Sequence, residues 1–201
     1  RKKYKIFFYE PKNLSLSQLR PIAQLSPLVV RNITGDHFCL GEQIATDLKT
    51  DIDVILMRQD PPFDMSYITA THILEHLHPD TLVINDPTNV RNAPEKLFVT
   101  HFKNVMPPTL ITSDEKEIFS FRKEFKDIIV KPLFGNGGKD VYFLNEKDPN
   151  LNIIIENMLL NREHAIAQKF IKKVKLGDKR ILLINGKPVG AVNRIPSNNE
   201  I

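Results

Sequence analysis

Three of the chain's eight glycines, Gly135, Gly137 and Gly138, fall within four residues. They lie between two apolar runs of strand length, Asp127–Lys131 and Val141–Leu144. Glycines let consecutive backbone N–H groups turn toward one anion and place no Cβ in its path. Lys131, on the strand just before the loop, can reach the same anion. The flanking residues decide which phosphate loop this can be. A Walker A loop requires glycine where Leu133 stands and Ser or Thr where Asp140 follows Lys139. The dinucleotide-binding pattern fails as well, because its third glycine would fall at Asp140. Both of those loops open a helix, whereas this one opens a strand. Two readings remain: a glycine-rich hairpin that folds over phosphates as a flap, or a plain glycine turn.

The rest of the composition is that of a folded protein. The 201 residues are 41% hydrophobic and 26% charged, which excludes wholesale disorder and allows one large domain or two small ones. A chain this long buries enough surface to need no staple, and one cysteine, Cys39, excludes an internal disulfide and a Cys-based zinc site. The net charge of +4 suits an anionic ligand but is too mild for nucleic-acid binding dominated by phosphate contacts. No apolar run approaches the ~18 residues of a membrane helix. Ile6–Tyr9 stops at Glu10, too short for a secretory signal. The expected compartment is the cytoplasm, with neither membrane nor nucleic acid as partner.

Along the chain, Tyr4–Tyr9 reads as a short buried strand, and residues 11–50 as weakly patterned strands and loops punctuated by Pro21 and Pro27. Asp53–Met57 is apolar on both faces and predicts a parallel strand covered on both sides. Asp64 caps a helix over Met65–His78, with Tyr67, Ala70, Leu74 and Leu77 at helical spacing. Thr81–Asn85 is the next strand, stopped by Asp86-Pro87. Asn92-Ala-Pro-Glu95 resembles a capping box opening a helix to about Phe102. The order strand–helix–strand–helix is an α/β pattern.

The second half differs. A strand at Thr109–Ile111 leads to Thr112-Ser-Asp-Glu115, a second capping box, and a helix to about Phe125. The two strands around the glycines come next. Leu151, Ile154, Ile155, Met158 and Leu159 then form a helical stripe, and Ala165–Ile171 a strand. Asn185-Gly186 between Arg180–Ile184 and Pro188–Asn193 predicts a type I′ hairpin. The boundary between the halves falls near residue 88.

Lys131-Pro-Leu-x-Gly-x-Gly-Gly, preceded by Asn92-x-x-Glu-Lys96-Leu-Phe, resembles the nucleotide-binding half of ATP-grasp ligases. More narrowly, Val54–Asp64, Asp148–Leu151, Gly177–Arg180 and Arg194–Pro196 resemble segments of bacterial-type glutathione synthetases. Order and spacing agree over 53–196, and less closely over 1–52. The resemblance implies an open α/β (pre-ATP-grasp) domain over 1–88, lacking its first strand and helix. An α+β ATP-grasp domain occupies 89–201, incomplete at its C-terminal end. The implied reaction is ATP-dependent joining of γ-glutamylcysteine and glycine through an acyl phosphate, carried out by a cytoplasmic homo-oligomer. Lys96 and Lys131 would neutralise the phosphates of ATP, and Gly135, Gly137 and Gly138 would close over the transferring group. Gln168, Lys169, Phe170 and Ile171 match the adenine-binding segment. Asp178 and Arg180 match positions near nucleotide and substrate, and Arg194 an arginine near the phosphates, so Arg180 and Arg194 are the expected catalytic pair.

The departures from the family pattern bear on activity. The family's Mg2+ or Mn2+ ligands lie in an acidic segment that nothing after Arg194 supplies, so the metal ligands are expected outside this chain. The 201 residues, which do not begin with Met, read as the middle of a longer ligase and as inactive alone. Bland alternatives stand beside the sharp ones. Lys96 and the basic run Lys169–Arg180 can be solvated surface, and Arg58 with Asp60–Asp64 a strand-to-helix turn. His72-x-x-Glu75-His76 spells an inverted zinc-protease pattern, or one exposed face of an amphipathic helix. Another ATP-grasp carboxylate–amine ligase and a non-catalytic nucleotide-binding module are the alternative functions.

Overall fold

Alternate burial along one long strand organises the first part of the chain. In the computed structural model, which describes residues 4–135, 137–160 and 163–195, the chain divides into two units, Arg1–Phe98 and Val99–Ile201. In the first, β1 (Phe7–Phe8), β2 (Leu14–Ser17), β4 (Phe38–Leu40) and β5 (Ile44–Asp47) all pair antiparallel with β3 (Arg20–Val30). Pro21, Ala23 and Leu25 turn inward along β3, the period-two pattern of a strand.

The two prolines sit inside this strand instead of breaking it. Ile22–Leu25 pairs with β5 and Leu28–Val30 with β4, and Pro27 falls where the partner changes. Both prolines use the group they keep, since their carbonyls accept from the N–H of Leu48 and Gly41. The β2–β3 turn is Gln18-Leu19, both at positive φ (49° and 63°), a conformation that Asn-Gly would have announced and these residues do not. The buried strand expected at Tyr4–Tyr9 is corrected to an exposed pair, Phe7–Phe8. Only Tyr9 packs on the core, where burial pushes its phenol up to about 12.

The same unit then makes a parallel pair, β6 (Val54–Leu56) and β7 (Leu82–Ile84), joined through α1 (Met65–Glu75). Asp64 caps α1 by accepting from the Tyr67 N–H at 2.9 Å. Leu74 and Leu77 join Ile55 and Val83 in the core with Ala23, Leu25 and Leu48. The expectation of cover on both faces is corrected. Ile55 and Val83 are buried, whereas Val54, Leu56, Leu82 and Ile84 are exposed, because α1 lies over one face only. Asp86-Pro87 does not merely stop β7. It caps α2 (Pro87–Asn92), with the Asp86 carboxylate accepting from Asn89 N–H and Pro87 in the first turn. The helix expected from Asn92 to Phe102 is instead α3 (Glu95–Phe98) followed by 3-10 turns over Val99–Val105, broken at Phe102.

In the second unit β8 (Thr109–Thr112), β9 (Ile128–Pro132), β10 (Tyr142–Leu144) and β11 (Ala165–Lys169) form an antiparallel sheet in the order β10-β9-β11-β8. The helices α4 (Glu115–Phe125) and α5 (Leu151–Leu159) cover one face. Their Ile118 and Ile155 meet Ile128, Val130, Leu144, Ala165 and Ala167 in the second core. The α4 cap is Asp114, whose carboxylate accepts from Lys116 N–H, while Thr112 Oγ1 accepts from Asp114 N–H.

Two further strands, β12 (Asp178–Ile184) and β13 (Lys187–Arg194), form a separate hairpin. It turns through Asn185 and Gly186, both at positive φ as a type I′ turn requires. Gly177 leads into it at φ +98°, and a Cβ there would stand 2.5 Å from the Arg194 carbonyl oxygen. Both the backbone angle and the close approach demand glycine.

Two outcomes are expected. Ile118→Ala, which empties a fully buried core position, lowers unfolding free energy by about 3 kcal/mol in chemical denaturation. Gly177→Ala speeds hydrogen exchange of the 178–194 amides while leaving exchange in β9 and β11 unchanged.

Candidate functional site

The period-two alternation of the second sheet separates its residues into a face under the helices and a face turned away. Ile128 and Val130 point to the core, so Ile129 and Lys131 occupy the opposite face. The register places Ile129 beside Gln168 and Phe143, and Gln168 beside Thr109. Lys131 and Gln168 thus share one face of adjacent strands. Gln168 is fixed there by its Nε2, which donates to Thr109 Oγ1 at 2.9 Å. Just past the strand, the Phe170 ring lies 4.6 Å from that of Phe143. The sequence singled out neither Thr109 nor Phe143 as a partner, because the pairings span 59 residues in one case and 27 in the other.

Lys169 belongs to the other face. Its register partner is Ile128, and its ammonium stands 5.8 Å from the centre of the Phe125 ring. The backbone of this stretch is also engaged: Lys169 N–H donates to Pro108 O and Phe170 N–H to Asp127 O, each at 3.0 Å. Ile171 is half exposed and opens the 3-10 turn Lys172–Leu176.

The glycines close the antiparallel hairpin between β9 and β10. The loop begins after Lys131-Pro132 and is anchored by buried Leu133, whose N–H donates to His164 O. Gly137 and Gly138 both adopt positive φ, 64° and 75°, and a Cβ on either would meet no atom within 4 Å. Glycine is therefore required by backbone angle, and the space above these two residues is open. Positive φ at two successive residues is a turn conformation, one in which consecutive N–H groups can face an anion. Asn136 lies outside the described residues. At the far end of the hairpin, Arg122 donates to the carbonyls of Asn145 and Glu146 at 3.1 and 2.9 Å and Lys126 pairs with Glu146, tying β10 to α4.

Asp178, Arg180 and Arg194 lie together on one face of the β12–β13 hairpin, since Asp178 faces Arg194 and Arg180 faces Val192. The Arg194 guanidinium donates through Nε and Nη2 to Asp178 Oδ2. That hydrogen bond holds the Asp178 carboxyl below its ordinary range and raises the guanidinium. Arg180 is exposed beside them. Lys96, half-buried, stands on α3 in the first unit.

On α1, both Glu75 oxygens are engaged. Oε1 accepts from Thr88 Oγ1 and Oε2 from Arg91 Nη2, so the carboxylate of the zinc-like pattern belongs to a contact between helices. No three His, Cys, Asp or Glu gather as a metal site among the described residues, and none of their helices is long and apolar enough to cross a membrane. The acidic segment sought beyond Arg194 concerns residues 196–201, outside the described residues.

Comparison with known proteins identifies the family. Residues 1–91 match the model of the prokaryotic glutathione synthetase N-terminal domain, and residues 95–201 that of the prokaryotic glutathione synthetase ATP-grasp domain. Similar proteins include glutathione synthetases of Mesorhizobium japonicum, 53% identical over 100% of this chain and 64% of the relative, and of Brucella melitensis, 54% identical over 98% and 63%. The chain spans less than two thirds of the length of these curated relatives. Among solved structures, D-cycloserine synthetase DcsG has a TM-score of 0.58 at 18% identity, over 75% of this chain and 54% of that one. D-alanyl-alanine synthetase A of Vibrio cholerae has a TM-score of 0.57 at 12% identity, over 92% and 56%. These two share the fold. With both family models matched in order along the sequence, the chain belongs to the prokaryotic glutathione synthetase family.

Proposed function

We propose that this chain is the nucleotide-binding part of an ATP-dependent carboxylate–amine ligase that makes glutathione from γ-glutamylcysteine and glycine. The observation that carries the reading is the β9–β10 hairpin, where Gly137 and Gly138 at positive φ come after a strand whose Lys131 shares a sheet face with Gln168. Such a site works by holding charge in place, with no protein nucleophile required. The family pattern gives the reaction. A carboxylate oxygen of γ-glutamylcysteine takes the terminal phosphoryl group of ATP, breaking its bond to ADP. The glycine amine then attacks the acyl carbon, forming the C–N bond, releasing phosphate and losing a proton.

Within this chain, Lys131 and Lys96 are assigned to the phosphates. The backbone N–H groups of Gly135, Gly137 and Gly138 are assigned to the transferring group. Gln168, Phe170 and Ile171 offer a polar edge and apolar surface to the adenine, and Lys169 acts through its backbone carbonyl, since its side chain lies over Phe125. Arg194, held in a fixed plane by Asp178, suits a pair of phosphate oxygens, with Arg180 beside it for substrate. Mg2+ or Mn2+, when bound, would neutralise phosphate charge; no three His, Cys, Asp or Glu gather to hold it among the described residues. A cytoplasmic location and a homo-oligomeric state are part of this proposal.

The test is ADP release by the intact protein with γ-glutamylcysteine, glycine and Mg·ATP. Release that depends on glycine, with glutathione as product, is expected. Lys131→Ala is expected to lower the rate by about a hundredfold, the scale of losing one preorganised charge. Absence of glycine-dependent release, or an equal rate with D-alanine in place of both substrates, contradicts the reading.

A further inference from the structure

Lys172, Lys173 and Lys175 are exposed on the 3-10 turn that follows β11. None of the three forms an ion pair among the described residues. They belong to an uneven distribution of charge along the chain. The unit Arg1–Phe98 carries 11 Lys and Arg against 12 Asp and Glu, and the unit Val99–Ile201 carries 17 against 12. The second unit's whole excess of five lies in Lys169–Arg180, which holds six cations and one acid. That acid, Asp178, is engaged by Arg194, and Lys169 stands over the Phe125 ring. Three like charges within one turn repel one another, and no ion pair offsets them.

Hydrogen bonding ties this charge to Ile171. The Val174 N–H donates to Ile171 O at 3.0 Å, and the Gly177 N–H to Val174 O at 2.9 Å. The turn is therefore built on Ile171, which is 51% exposed and carries a proposed adenine contact. A 3-10 turn rises about 2 Å per residue, so the Lys175 backbone lies about 8 Å from Ile171. That is about one Debye length at physiological salt. All three lysines thus sit where their field reaches an anion that approaches Ile171.

We propose that Lys172, Lys173 and Lys175 form an electrostatic steering surface that speeds the arrival of the polyanionic nucleotide without holding it once bound. The inference rests on the nucleotide reading of Gln168, Phe170 and Ile171. A steering field raises the association rate and fades with ionic strength, whereas a direct contact slows dissociation. The test is stopped-flow association of a fluorescent, non-hydrolysable ATP analogue with the intact protein. Wild type is compared with the triple variant Lys172→Gln, Lys173→Gln, Lys175→Gln. A second triple variant, Lys116→Gln, Lys123→Gln, Lys147→Gln, removes the same charge from exposed positions on α4 and in the loop after β10.

At about 20 mM salt the first variant is expected to associate about fivefold more slowly, with dissociation unchanged, and the difference is expected to vanish near about 0.5 M salt. The second variant is expected to stay within about twofold of wild type. An unchanged association rate in the first variant leaves the lysines as solvated surface and overturns the inference. Equal losses in both variants overturn it by assigning the effect to net charge, and a loss confined to dissociation does so by making the lysines contacts. Slowing that persists at high salt marks an altered structure and also overturns it. The wild type supplies a second measurement that needs no variant: an association rate that does not fall with salt excludes steering. No binding by the wild type overturns the nucleotide reading itself, whereas binding without steering leaves that reading intact.

Discussion

The pairing of β9 with β11 is the constraint on which the rest of the second unit depends. The two strands run antiparallel from Ala165 opposite Pro132 to Lys169 opposite Ile128. In that register Val130 and Ala167 point under the helices, while Lys131 and Gln168 lie on the other face. A slip by one residue would exchange those sets, burying a lysine in the core and exposing valine and alanine. Fully buried Ile118, Ile155 and Ile128 oppose such a slip, so the packing that stabilises the sheet also decides which side chains can meet a ligand.

Other parts of the candidate site use different means to the same end. The glycine hairpin takes its position from β9 and β10, which α4 secures through the hold of Arg122 on the Asn145 and Glu146 carbonyls. The β12–β13 hairpin has exposed side chains on both faces. It aligns the face that carries Asp178, Arg180 and Arg194 by register, by the Asp178–Arg194 pair and by the close approach at Gly177. In the first unit, the Glu75 carboxylate performs the corresponding task for α2. A polar grip in each case fixes orientation where apolar packing is thin.

What was legible in the sequence was local. The Leu151–Leu159 stripe, the Asn185-Gly186 turn, the Asp64 cap and the glycine hairpin each rest on residues a few positions apart, and each forms in place. Lys131 and the glycines drew attention for the same reason, whereas Lys96 was singled out only through the family resemblance. Elements decided by distant partners were not. Pro21 and Pro27 punctuate the sequence, yet β3 continues through them because β4 and β5 share its length. Gln18-Leu19 makes a tight turn that tertiary pairing imposes on residues with no such preference. Asp86-Pro87 looked like a stop and is a helix start. The Gln168–Thr109 and Glu75–Arg91 contacts, 59 and 16 residues apart in sequence, left no signal in a single chain.

The proposed function assigns the β9–β10 glycine loop to the terminal phosphates of ATP. Hydrogen exchange of the 135–140 amides, measured on the intact protein with adenosine, ADP and a non-hydrolysable ATP analogue, addresses it most directly. Protection of the Gly137 and Gly138 amides that is absent with adenosine and strongest with the ATP analogue is the expected result. Bound analogue with exchange at these amides unchanged would contradict it, and would leave the glycines as a turn between two strands.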